Sequence, residues 1–190
     1  LYFKWDDILN YKRNNEIQTY NCLQKRLRPH RIYLYTELYN NNLIKDGLVS
    51  MNDYGDRRVI IEDREIDANT LTQARRLLPL LIYGESNEIK PEQYYVDRIR
   101  GDVCADTWVS LISEASFFDT DDTLFISEKT FKAIACMHPF IIVGNQYSLK
   151  KLREMGYRTF DGFIDESYDE LPTHQRMEAI IESLKKIVAI

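Results

Sequence analysis

Glycine and proline are scarce in this chain, 7 and 5 among 190 residues, which excludes a collagenous, elastic or low-complexity polymer. Cysteine is scarcer still. Cys22, Cys104 and Cys136 are an odd number, widely spaced and without a CxxC pair, so neither a disulfide framework nor a cysteine zinc site is expected, and all three read as reduced core thiols. Long apolar runs are also missing. The longest uncharged stretches, such as residues 77–83 and 133–137, fall far short of the ~18 residues that cross a bilayer. The opening LYFKWDDILN carries acids where a secretory leader would need a positive start and an apolar block, so a cytoplasmic location is expected. Nor is there an excess of positive charge. With 25 bases against 30 acids the net charge is −5, and the whole-protein field does not recruit nucleic acid.

What is present is a foldable composition: 44% hydrophobic and 29% charged residues suit a packed globular domain. One domain over residues 1–190 is expected, with residues 1–16 as an N-terminal extension. Charge is unevenly spread. Between Lys12 and Arg31 lie six bases (Lys12, Arg13, Lys25, Arg26, Arg28, Arg31) and one acid, Glu16, whereas residues 161–170 hold five acids and no base. A local anion site can therefore sit in an acidic protein.

Periodicity gives the order of elements. Residues 17–22 (IQTYNC) alternate as a strand does, the basic loop LQKRLRP follows, and Ile32, Tyr35, Leu38 and Tyr39 recur at helical spacing. Pro29 suits the first helical turn, where its missing N–H costs nothing, and the helix should end near residues 40–42. Residues 48–51 (LVSM) then complete a β-α-β unit, with an arginine-rich loop at the carboxyl end of its first strand. Residues 52–67 read as irregular surface, and 68–83 as a helical segment interrupted by Pro79. Further on, 108–113 (WVSLIS) and 140–143 (FIIV) read as buried strands flanking a helix at 127–137. Ser127 is its natural N-cap, and Thr130 stands where a capping box would place Glu or Gln, so the box is incomplete. A helix over 148–155 ends at Gly156. An amphipathic helix over 173–190 rests on Met177, Ile180, Ile181, Leu184, Ile187 and Val188. The fold class expected is α/β, Rossmann-like, with a mostly parallel sheet flanked by helices.

Three constellations could carry chemistry. Arg26, Arg28, His30 and Arg31 occupy a strand-to-helix loop, where guanidinium groups and free backbone N–H groups can hold a phosphate. The alternative is a solvated basic loop, since no phosphate-loop GxxxxGK is present. Arg28 and Arg31 are expected to be replaceable without loss of the fold. Next, Glu114 and the pair Glu128-Lys129 could accept sugar hydroxyls and meet a phosphate at a helix N-terminus; the alternative is that Glu128 complements the helix dipole and Lys129 is solvated. The third is residues 117–125 (FFDTDDTLF), which match in letters the first motif of haloacid-dehalogenase-like phosphatases, with Asp119 as nucleophile and Asp121 as acid/base. That motif also needs a strand before it and a metal-binding acidic pair after it, and a solvated acidic loop is the alternative. His30, His138 and His174 have no ligand spacing and read as core or surface residues. No metal site is expected.

The run SLISEAS through LFISEKTFKAIACMHPFIIVG resembles the nucleotide-sugar-binding half of GT-B glycosyltransferases, particularly the α-1,3-fucosyltransferases and, more distantly, the exostosin-like transferases. In that family a strand ending in Phe-Glu-Asn-Ser is followed by Tyr-Ile-Thr-Glu-Lys, a helix, and a strand that begins with proline. Here the series is Ser113-Glu114-Ala115-Ser116, then Phe125-Ile126-Ser127-Glu128-Lys129, the helix, and Pro139-Phe140-Ile141-Ile142-Val143. The resemblance implies a nucleotide-diphosphate sugar as donor substrate, with no other cofactor. It places Glu128 toward the ribose, Lys129 and one or more of Arg26, Arg28 and Arg31 toward the diphosphate, and Glu114 and Ser127 in support. Ala115 replaces the family's Asn and Phe125 its Tyr, so contacts from those polar groups are absent. The resemblance also implies a second domain or subunit that supplies the catalytic base and binds a glycan or other acceptor. A catalytically silent donor-binding or assembly module would use the same fold.

Overall fold

A computed structural model describes residues 16–62, 64–82, 100–119 and 123–190. Four parallel strands form the main sheet: β1 (Gln18–Gln24), β2 (Gly47–Met51), β5 (Thr107–Ser113) and β6 (Phe140–Val143), in the order β2-β1-β5-β6. The pairings Cys22 with Val49, Tyr20 with Val109 and Ser110 with Phe140 set the register. This is a Rossmann-like α/β arrangement. Helix α1 (Pro29–Asn40) joins β1 to β2, and α4 (Glu128–Ala135) joins β5 to β6. The order therefore reverses between β1 and β5, and the carboxyl ends of those two strands flank the crevice where open α/β sheets bind ligands.

Composition explains the layers. All of β6 and every residue of β5 except Trp108 are buried, as expected of near-continuous apolar strands covered on both faces. Helix α4 packs on β5 and β6, while α6 (Thr173–Val188) packs on β6 and on α1. At the start of β2, Gly47 is dictated by a close approach: a Cβ there would lie 2.5 Å from Cζ of Tyr20, whose hydroxyl donates to the Leu43 carbonyl at 3.1 Å.

Between β2 and β5 the chain departs from the irregular surface expected of it. A short antiparallel pair, β3 (Ile60–Ile61) and β4 (Arg64–Glu65), precedes α2 (Ala68–Arg75), which Asp67 caps by accepting the Thr70 N–H at 2.7 Å. The helical segment ends before Pro79, and Leu80 then pairs with Met51. A short helix without a sequence signal, α3 (Gly101–Ala105), leads into β5. Beyond β6 come α5 (Ser148–Glu154), a 3-10 turn at Ser167–Glu170, and α6. Gly156, at φ +89°, ends the α5 segment in the left-handed region. No helix among the described residues is long and apolar enough to cross a membrane. The expected extension over residues 1–16 lies, except for Glu16, outside the described residues, as do Lys12 and Arg13.

Candidate functional site

At the exit of β1 the chain runs through Lys25, Arg26 and Leu27 to Arg28, the extended N-cap of α1 (φ −121°, ψ 150°). No side chain caps this helix and no acid lies in its first turn. Every other α-helix among the described residues has a carboxylate at its start. Asp67 caps α2, Asp102 stands in the first turn of α3, and Glu128 in that of α4. Asp169 accepts the Leu149 and Lys150 N–H groups of α5 at 2.8 and 2.9 Å, and Asp119 accepts the Thr173 N–H of α6 at 2.7 Å. The start of α1 thus has no carboxylate of its own and carries bases in its flanking loop, an arrangement that attracts an anion.

The arginines divide by role. Arg26 is exposed and Arg28 half-buried, and among the described residues neither side chain makes an ion pair. Arg31 is instead 4% exposed, and its guanidinium donates to the carbonyls of Arg26 (3.2 Å), Ser113 (3.0 Å) and Glu114 (3.0 Å). It clasps the β1 exit loop to the end of β5. The fork expected to meet a phosphate is thus engaged with protein carbonyls, and replacing Arg31 is expected to lower stability. Burial, and then the charge of Arg28, hold the Arg31 guanidinium below its usual pKa.

Glu114 is the junction. Its backbone oxygen accepts from Arg31 and from Nε2 of His30 (3.0 Å), both on α1. Its carboxylate, fully buried, accepts at Oε1 from the Ser127 N–H (3.1 Å) and the Thr130 hydroxyl (2.6 Å), both at the start of α4. The capping box that looked incomplete in sequence is completed from β5, because Glu114 reaches the N-cap N–H that a Glu at the Thr130 position would have reached. Glu114 is thus fully buried at the junction of β5, α1 and α4, with its Oε2 left without a hydrogen-bond partner among the described residues. Ser127 caps as expected, accepting the Lys129 N–H at 3.3 Å. Lys129 folds its Nζ to the Ser127 hydroxyl (3.0 Å) and to Glu128 (3.4 Å), and both charged side chains remain about a third exposed.

No protein-family model, curated protein or solved structure matches this chain. Its chemistry rests on the geometry alone.

The acidic motif meets the start of α6. Asp119 lies six residues beyond the end of β5 and exchanges bonds with Thr173: its carboxylate accepts the Thr173 N–H, and its own N–H donates to the Thr173 hydroxyl at 3.0 Å. Its other oxygen pairs with Arg176 at 2.9 Å. Burial raises the Asp119 pKa, but the bonds from Thr173 and Arg176 outweigh it and leave the carboxyl below its usual range. Both oxygens of this carboxylate are thus engaged at the start of α6. Asp121 lies outside the described residues.

Several contributors were not among the expected site residues. Arg176, 1% exposed, donates to the carbonyls of Leu171 and Phe117 and lies over the Phe117 ring. Phe117 in turn stacks on His30 with ring centroids 5.7 Å apart. At the exit of β6, Asn145 spans the loop after β5, donating to Phe118 (3.3 Å) and accepting from the Phe125 N–H (3.1 Å). Its neighbour Tyr147, half-exposed at φ 66°, holds a conformation rare for a bulky side chain. Below the site, Asn21 donates to Thr107 and Ser110, Ser110 donates to Nδ1 of His138, and Nε2 of His138 donates to the Thr107 carbonyl at 2.8 Å. That chain fixes the neutral tautomer of His138 inside the sheet.

Proposed function

We propose that the crevice at the carboxyl ends of β1 and β5 binds a nucleotide-diphosphate sugar, in a metal-independent glycosyltransferase half-domain of GT-B type. One observation supports this reading: Arg31, which also holds the Arg26 carbonyl, and Ser127 and Thr130 at the start of α4 all bond Glu114, so the Arg26-Arg28 loop and the Glu128-Lys129 turn, remote in sequence, are joined through one residue. Arg26, Arg28 and the uncapped start of α1 would neutralise the diphosphate, with Lys129 as the cation from the opposite wall. Glu128, partly exposed beside Lys129, would accept ribose hydroxyls. Transfer to a glycan or other acceptor would then require a base from a second domain or subunit.

The test is a thermal-shift screen with GDP, UDP, ADP and CMP in the presence of EDTA. A ligand at 100 times its Kd adds about 2.7 kcal/mol, which raises Tm by roughly 5–10 °C for a chain of this size. A shift with a nucleoside diphosphate and none with CMP is expected. No shift with any of the four would reject the reading. Transfer or hydrolysis of the matching nucleotide sugar separates an active half-domain from a silent donor-binding module.

A further inference from the structure

The turn that leaves β6 holds one residue against its own backbone preference. The Asn145 carbonyl accepts the Ser148 N–H at 3.3 Å and the Ser148 hydroxyl at 2.6 Å, so residues 145–148 form a tight turn whose third residue, Tyr147, stands at φ 66° and ψ 18°. Glycine or asparagine is the usual occupant of a left-handed third position. A tyrosine there is strained, and such outliers gather at ligand clamps, where their surroundings fix them. The fixing contacts are present. The Tyr147 N–H donates to the Asp169 carbonyl at 2.8 Å, its carbonyl accepts the Lys151 N–H at 2.9 Å, and the Asp169 carboxylate takes the N–H groups of Leu149 and Lys150. The hydrophobic core does not require the ring. Tyr147 is 43% exposed and is not packed against the core, and its ring meets Lys150, whose Nζ lies 5.3 Å from the centroid.

This turn borders the proposed nucleotide site. Gly144, the residue after β6, lies against Glu114, since a Cβ on it would come 3.4 Å from the Glu114 Cβ. Asn145 holds the Phe125 N–H at 3.1 Å, two residues before the Ser127 cap and three before Glu128, and Phe125 is itself 46% exposed. From the start of α1, the carboxyl edge of the sheet thus passes β5 and the Glu128-Lys129 turn and ends at exposed aromatics beside β6. We infer that Tyr147 is the stacking platform for the nucleobase of the ligand whose diphosphate lies at the start of α1. The inference rests on the nucleotide reading and adds the residue that meets the base. Diphosphate, ribose and base then follow the strand order β1-β5-β6. Two strand spacings are about 10 Å, a span that a nucleoside diphosphate covers. Because every base has a π-face, the contact supplies affinity without choosing among bases.

The whole chain and its variants Tyr147→Gly, Tyr147→Ala and Tyr147→Phe are titrated calorimetrically in EDTA with GDP, ADP and inorganic pyrophosphate. Glycine removes the ring and relieves the backbone at once. Tyr147→Gly should therefore keep or raise its urea midpoint while binding GDP and ADP roughly 5- to 150-fold more weakly, and it should bind pyrophosphate as the parent does. Tyr147→Ala should lose the same affinity, and Tyr147→Phe, which keeps the ring face, should stay within about twofold of the parent. Unchanged GDP and ADP affinity in Tyr147→Gly, or pyrophosphate weakened as much as the nucleotides, would overturn the inference and leave the anion site standing. A Tyr147→Gly urea midpoint well below the parental one would make the ring structural and overturn it too. Failure of the parent to bind either nucleotide would overturn the nucleotide reading, and this inference with it.

Discussion

Arg31→Ala removes a charged clasp from a place where water cannot take over at once. The carbonyls of Arg26 and Ser113 lose a donor, that of Glu114 keeps the bond from His30, and the fully buried Glu114 carboxylate loses the charge of Arg31. Removing one partner of a buried charged arrangement costs about 3–5 kcal/mol. The Arg26 carbonyl belongs to an exposed residue and can rehydrate, so the lower end, about 3 kcal/mol, is expected. Against a typical stability of about 5–15 kcal/mol the variant still folds, and Tm falls by roughly 6–12 °C. Arg31→Lys should recover little, since one ammonium cannot span the three acceptors of the guanidinium fork. Arg26→Ala and Arg28→Ala, which remove no ion pair among the described residues, should stay within about 0.5 kcal/mol of the parent. Urea denaturation of the four variants at one pH gives the comparison. Arg31→Ala within about 0.5 kcal/mol of the parent, with an unchanged m-value, would refute the clasp and return Arg31 to the candidate ligands.

Glu114→Ala should cost about 2–4 kcal/mol in the same assay, because the start of α4 loses its cap and Arg31 its counter-charge; Glu114→Gln, which keeps an acceptor, should cost roughly half as much, and parental stability in both would contradict the long-range capping box. Asp119→Ala should cost about 2–4 kcal/mol by uncapping α6 and leaving the buried Arg176 unpaired, with nucleotide affinity unchanged; a loss of affinity without a loss of stability would put Asp119 in the site. Burial lowers the His138 pKa below its usual value. The depressed folded-state pKa means that its contribution to stability is complete above the ordinary His pKa of about 6.5 and is lost as pH falls through the folded value. Urea midpoints of the parent should therefore fall between pH 7.5 and 5.5 more steeply than those of His138→Gln, and equal slopes would show that His138 does not titrate on unfolding.

Strands and local caps were legible because their causes are local. FIIV and WVSLIS read as strands from their apolar runs, and Ser127 read as a cap from its position before the helix. The long-range caps were not legible. Glu114 reaches Ser127 across 13 positions, Asp169 reaches Leu149 across 20, and Asp119 reaches Thr173 across 54, and no local pattern joins them. The two buried arginines did leave a trace. Arg31, Leu34, Tyr35 and Leu38 are all buried at i, i+3, i+4 and i+7 on α1, and Arg176, Ile180 and Leu184 share the buried stripe of α6. Position on an apolar stripe marked both as interior, and reading charge type before periodicity hid it. The convergence at Glu114 depends on strand order, which alternation of elements does not determine.

Calorimetric titration of a nucleoside diphosphate, chosen by the thermal screen and run in EDTA, into the parent and the Arg26→Ala/Arg28→Ala double variant tests the proposed site most directly. Each charged hydrogen bond lost is worth about 1.5–3 kcal/mol, so the double variant should bind roughly a hundredfold more weakly or worse while its urea midpoint stays at the parental value. Equal affinity in the two proteins, or binding by the parent only when Mg²⁺ or Mn²⁺ is supplied, would contradict a diphosphate site at the start of α1.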